Sequence, residues 1–125
     1  MKVYPLYLNG QWVTTQKTIR VVNPATTEVF AEVCTIDRAA VAQAVKDAHA
    51  AFPAWRALTG KVRGDFLKKI ADELERRRDE FARVITMENG KPLAQSLGEM
   101  AMSVDHLRWF AEEGHNTHSG EADDS

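Results

Sequence analysis

The chain has little of what would tie it to an oxidising compartment, a bilayer or a polyanion. It holds one cysteine, Cys34, which cannot close an internal disulfide, and this points to a reducing, cytoplasmic setting. No apolar run approaches the roughly 18 residues needed to cross a bilayer. The start, Met1-Lys2-Val3-Tyr4-Pro5, has no apolar stretch after its lysine and does not read as a signal peptide. Sixteen basic against eighteen acidic residues leave a formal charge of −2, so there is no electrostatic case for nucleic acid or an anionic membrane as partner. Glycine is sparse as well. Gly60 and Gly64 have the wrong spacing for a dinucleotide fingerprint and open a charged stretch rather than follow a strand. A Gly-x-x-x-x-Gly-Lys-Ser/Thr loop is also absent, so no motif in the sequence cradles a phosphate.

What is present fits one globular domain of ordinary size, with 125 residues of which 44% are hydrophobic. Tyr7-Leu8, then Asn9-Gly10, then Gln11-Trp12-Val13 is a hairpin signal, because Asn-Gly supplies the two positive-φ positions of a tight type I′ turn. Thr18 to Val22 is β-branched and reads as a strand. Asn23-Pro24-Ala25-Thr26-Thr27 is a turn with φ fixed by proline, and Glu28 to Ile36 is the returning strand. Asp37 is a good cap for a helix whose apolar face is Ala40, Val41, Ala44, Val45, Ala48 and Phe52. Pro53 is expected to end that helix. Thr59 caps the next, with Val62, Phe66, Leu67, Ile70 and Leu74 as its expected buried stripe. Lys68/Asp72, Lys69/Glu73, Asp72/Arg76 and Glu73/Arg77 are four apart and suit pairing on its outer face.

Glu75 to Glu80 is six consecutive charges, which no buried stripe crosses, so a break between helices is expected there. Phe81, Val84 and Ile85 restart the stripe and carry it to Thr86-Met87-Glu88-Asn89-Gly90-Lys91-Pro92. Gly90 suits a left-handed residue just past a helix end, and Pro92 suits the first turn of the next helix. A last helix is expected from about Lys91 to Glu113, with Leu93, Leu97, Met100, Val104, Leu107 and Ala111 inside. The fold class is α+β: small antiparallel β-hairpins followed by four helices.

Five stretches together resemble the N-terminal segment of the NAD(P)-dependent aldehyde dehydrogenase superfamily. They are Tyr7 to Val13, Val22-Asn23-Pro24-Ala25-Thr26, Ala51-Phe52-Pro53-Ala54-Trp55, Glu88-Asn89-Gly90-Lys91-Pro92 and Trp109-Phe110-Ala111-Glu112-Glu113. They stand in the family's order from Tyr7 to Gly114, and they are most similar to its succinate-semialdehyde dehydrogenase branch. The resemblance implies the N-terminal part of the family's α/β fold over residues 1–114. The parent reaction would be oxidation of an aldehyde to an acid with NAD or NADP as cofactor. In the family a cysteine thiolate attacks the aldehyde, hydride leaves for the nicotinamide, and a glutamate activates water. Those groups and the cofactor loop lie later in the family than this chain extends. The chain alone is therefore expected to bind no dinucleotide and to be inactive, and its partners would be the remaining dehydrogenase domains or a full-length homologue. The other reading is a non-catalytic interaction module that docks through an exposed helix face.

The resemblance also implies a monovalent cation site, formed by the backbone carbonyls of Val21 and Val22 and the carboxylate of Glu88. Hard oxygen ligands and a helix C-terminus both suit a cation. The alternative is that Glu88 is simply a solvated helix-end residue. Met102, His106 and Trp109 fall on the helix that borders the family's substrate tunnel, or are ordinary surface. Cys34 has no basic neighbour in sequence and does not align with the family nucleophile, so it reads as a small buried hydrophobe. His115 and His118 are three apart, but no cysteine or carboxylate cluster completes a metal site. Residues 115–125 hold no apolar residue larger than alanine and match nothing in the family. They read as a disordered polar tail, with a broken reading frame near Gly114 as the explanation.

Overall fold

A computed structural model describes residues 1–116. Five strands precede four helices: β1 (Lys2–Tyr4), β2 (Leu6–Leu8), β3 (Gln11–Val13), β4 (Thr18–Val22), β5 (Val29–Cys34), α1 (Arg38–Ala57), α2 (Gly60–Arg76), α3 (Arg78–Asn89) and α4 (Leu93–Asn116). The chain divides into two compact units, Met1–Pro53 with Met87–Gly90, and Ala54–Thr86 with the chain from Lys91 onward. None of the described helices is long and apolar enough to cross a membrane.

The first unit carries both small sheets. Strands β2 and β3 form the expected hairpin, with Leu6 opposite Val13 and Leu8 opposite Gln11. Its turn residues Asn9 and Gly10 take φ of 49° and 78°, as a type I′ turn requires. The second sheet has the order β1-β5-β4. The β4–β5 pair is antiparallel as expected, whereas β1 runs parallel to β5, with Lys2 opposite Ala31 and Tyr4 opposite Val33. That parallel pair was not expected, since Lys2–Tyr4 is too short to show a pattern of its own. Ala31 and Cys34 are buried in β5 from opposite faces.

Asp37 caps α1: its carboxylate accepts the Ala40 N–H at 2.8 Å. Pro53 does not end this helix, contrary to expectation. It lies inside α1, which runs on to Ala57. Proline lacks an N–H, so the carbonyl of His49 loses one helical partner, but fixed φ is compatible with helix when neighbouring turns hold. No residue of α1 is buried.

The second unit is built on the α2–α4 contact. Thr59 caps α2 by accepting the Val62 N–H at 3.2 Å, and Arg77 separates α2 from α3 within the expected charged break. The buried face of α2 is Gly60, Gly64 and Ala71, not the predicted stripe. Val62, Phe66 and Ile70 remain 38%, 44% and 49% exposed. The reason is steric: a Cβ on Gly64 would lie 2.6 Å from the Ala111 carbonyl oxygen, and one on Gly114 would lie 2.8 Å from the Gly60 carbonyl oxygen. The two backbones approach each other through their smallest residues. Ser96, Met100, Val104 and Ala111 are the buried residues of α4. Leu93 is exposed, and Leu97 and Leu107 are half-buried.

The charges also pair differently from the four-apart scheme. Lys68 reaches across to Glu112 at 3.0 Å, and Arg108 bridges Asp72 and Glu75. Arg76 pairs with Glu73, and Arg77 with Glu80, each three apart. The last helix extends three residues past Glu113, so Gly114, His115 and Asn116 are helical. The remainder of the expected polar tail lies outside the described residues.

Candidate functional site

The residues assigned to a cation site sit on two segments of the first unit. Val21 and Val22 end β4. A register irregularity falls between them, with Val21 opposite Ala31 and Val22 opposite Val29, so one residue of β5 is skipped and the local hydrogen-bond ladder is interrupted. The following turn is held locally. Asn23 Oδ1 accepts the Ala25 N–H at 2.9 Å, the Asn23 carbonyl accepts the Thr27 N–H at 2.7 Å, and Thr27 takes φ of 62°. Glu88 is in the last turn of α3, where no basic residue offsets the negative helix end.

Gly90 brings the two segments together. Its φ is +86°, and a Cβ built on it would lie 2.9 Å from Pro24 Cγ. The end of α3 therefore packs on the Asn23–Pro24 turn, immediately beyond Val22. Glu88 itself is exposed. Among the described residues there is no group of three or more His, Cys, Asp or Glu side chains able to hold a metal ion.

The other singled-out residues are scattered. Cys34 is buried in β5; the Thr15 N–H donates to its Sγ at 3.4 Å, and Sγ donates to the Thr15 carbonyl at 3.6 Å. Its thiol is thus engaged on both sides by one stretch of backbone. Met102 and Trp109 are each 59% exposed on α4, and His49 and His106 are exposed. His115 is half-buried, with Nε2 3.1 Å from Asp65 Oδ1. His118 lies outside the described residues. Ser96 was missed. It is fully buried, and its hydroxyl lies 2.7 Å from that of Thr86. Nothing in the spacing around a mid-helix serine signals such a pair.

The titration of carboxylates reflects the helix pair rather than a reaction centre. The hydrogen bond from Arg108 holds Glu75 below its ordinary range, and the hydrogen bond from Lys68 does the same for Glu112. All four side chains are largely solvated.

The glycines at the start of α2, Gly60 and Gly64, permit close backbone approach. That approach is already taken by Gly114, Ala111 and His115 of α4.

Residues 12–124 match the aldehyde dehydrogenase family. The match runs past Gly114, where the resemblance seen in the motifs stopped. Among the similar proteins, a glutarate-semialdehyde dehydrogenase of Pseudomonas putida is 42% identical over 109 residues, covering 86% of this chain and 23% of that protein. A succinate-semialdehyde dehydrogenase of Escherichia coli is 37% identical over the same length, with the same coverage of each. Among solved structures, the lactaldehyde dehydrogenase of Escherichia coli superimposes with a TM-score of 0.87 at 30% identity, covering 94% of this chain and 25% of that one. A betaine aldehyde dehydrogenase from Staphylococcus aureus, solved in complex with NAD+, superimposes with a TM-score of 0.80 at 28% identity, covering 84% and 22%. The chain thus spans about a quarter of the length of these relatives. The five motifs in order, the sheets and helices that carry them, and the match over residues 12–124 together show that this chain belongs to the aldehyde dehydrogenase family.

Proposed function

We propose that this chain is the N-terminal part of an NAD(P)-dependent semialdehyde dehydrogenase and that it contributes scaffold rather than reacting groups. The observation that carries this reading is the 42% identity to a glutarate-semialdehyde dehydrogenase over one quarter of that enzyme's length. The parent reaction is oxidation of a dicarboxylic semialdehyde, such as glutarate or succinate semialdehyde, to the diacid. The dinucleotide would be held by the rest of the enzyme; here α4 takes the space beside Gly64 and meets the Gly60 carbonyl. The partner is the remaining three quarters of a dehydrogenase. The fully unburied α1 and the open Val62, Phe66 and Ile70 face of α2 are where it would pack.

The Val21 and Val22 carbonyls and the Glu88 carboxylate would contribute ligands to a monovalent cation in that assembly. The interrupted ladder at Val21 and Val22 and the packing of Gly90 on Pro24 support this. Sodium NMR line broadening by the reassembled enzyme should fall in Glu88→Gln, and equal broadening would remove the site.

The test of the main reading mixes this chain with a glutarate-semialdehyde dehydrogenase lacking its first quarter, then follows reduced nicotinamide formation. The chain alone should produce none, and the mixture should recover activity. Turnover by the chain alone would overturn the reading. Tight binding to an intact homologue, without activity and without binding the shortened one, would instead favour the interaction module.

A further inference from the structure

We propose that Asn9 is a site of self-modification, at which the side-chain amide is lost to attack by the Gly10 nitrogen and the turn between β2 and β3 is left with aspartate or isoaspartate. This inference is independent of the proposed function and rests on the hairpin. In the first step the Gly10 backbone nitrogen bonds to Asn9 Cγ and the Cγ–Nδ2 bond breaks. The proton of the Gly10 N–H goes to the departing nitrogen, which leaves as ammonia, and a five-membered imide remains. Water then adds to one imide carbonyl and breaks its bond to the ring nitrogen. Opening at Cγ gives aspartate, and opening at the backbone carbonyl gives isoaspartate. No electrons are transferred, and water is the one reactant from outside the chain.

Asn9 and Asn89 both precede a glycine, whose missing side chain leaves the attacking nitrogen unshielded. The structure separates the two. Around Gly10 the space is open: a Cβ there would meet nothing within 4 Å. The ladder ends at Leu8 and Gln11, so the Gly10 N–H lies outside it, and Asn9 is exposed. Asn9 must leave its left-handed φ of 49° before the nitrogen can turn onto Cγ, and the hairpin resists this weakly. Its strands are three residues each and pair with each other in a two-stranded sheet, an arrangement that is marginal in water. Across the strands Tyr7 and Trp12 stand opposite each other, ring centroids 4.8 Å apart. Asn89, by contrast, is the last residue of α3, and a Cβ on Gly90 would lie 2.9 Å from Pro24 Cγ. Reaction there requires the helix end to unwind and Gly90 to leave its seat, so its opening is the costlier. The outcome at Asn9 is structural. Isoaspartate lengthens the backbone by one carbon, and the tight turn no longer closes Leu8 on Gln11. Either product also puts a carboxylate into the cleft that Asn9 lines together with Asp47 of α1.

The test incubates the 125-residue chain for weeks at neutral pH, with and without urea, and follows the peptides containing Asn9 and Asn89 by mass spectrometry. Isoaspartate is read by labelling with an isoaspartyl methyltransferase. In urea the two asparagines should convert at similar rates. Without urea Asn9 should convert about five-fold or more faster than Asn89. Trp12→Thr removes the ring contact and keeps a strand-forming residue. It should speed conversion at Asn9 about two- to five-fold, the worth of a cross-strand pair, and leave Asn89 unchanged. A rate at Asn9 no higher than at Asn89 without urea, the same ratio in urea, or an unaltered Asn9 rate in Trp12→Thr would each overturn the proposal.

Discussion

Helix α1 and the α2–α4 pair have opposite relations between sequence and burial. The face of α1 repeats alanine, valine and phenylalanine at helical spacing, yet none of its 20 residues is buried. The buried residues of α2 and α4 are glycine, alanine, serine, methionine and valine, and they are most of the buried residues of the helices. Within this chain, closeness of backbones decides what is covered, and bulk apolar residues are left facing outward. A large side chain is an asset only when a partner supplies the surface to receive it. The relatives are about four times as long, and under the proposed function that surface comes from their later sequence.

Mutations can break or sharpen this contrast. Met100→Ala removes the largest fully committed side chain of α4, 5% exposed, and should lower stability by about 2–4 kcal/mol in denaturant titration. Gly64→Ala drives a methyl to within 2.6 Å of a backbone oxygen, and should cost about 1–3 kcal/mol by the same measurement. Ser96→Ala strips the Thr86 hydroxyl of its buried partner and should cost about 1 kcal/mol. Val45→Ala on α1, where Val45 is 64% exposed, should change stability by less than about 0.5 kcal/mol. A loss above that for Val45 would mean α1 is covered in solution, and the contrast would fail.

The smallest effect is electrostatic. Glu75 and Glu112 are depressed by Arg108 and Lys68. Their contribution is present above the ordinary carboxylate value and is lost as pH falls through the lower folded one. Arg108→Gln should therefore lower stability slightly at neutral and alkaline pH and converge with the native chain as the carboxylates protonate, which flattens the acid limb of a stability–pH curve.

Local chemistry made much of the fold legible. Asn9-Gly10 set its hairpin, Asp37 and Thr59 set their helices, the charged run set the break at Arg77, and Gly90 set the joint, because each acts within a few residues of itself. The failures share a different cause. The parallel β1–β5 pair joins segments 29 residues apart, which no window of sequence reveals. Pro53 was overruled by helical turns on both sides. The α2 stripe was misassigned because amphipathic spacing names an apolar face without naming what it meets. The cation residues were assigned by resemblance, not by any physical signal in Val21, Val22 or Glu88.

The seating of Gly90 against Pro24 links two places that are 66 residues apart in the chain. A side chain at 90 has no room while the pyrrolidine ring stands at 24, and taking the ring away loosens the φ that the turn depends on. For recombination between homologues, the two positions behave as a single inherited unit. A crossover placed anywhere between them is safe only when both parents carry the same pair, so the permissible junctions in this quarter of the family lie outside that interval or demand that both ends travel together.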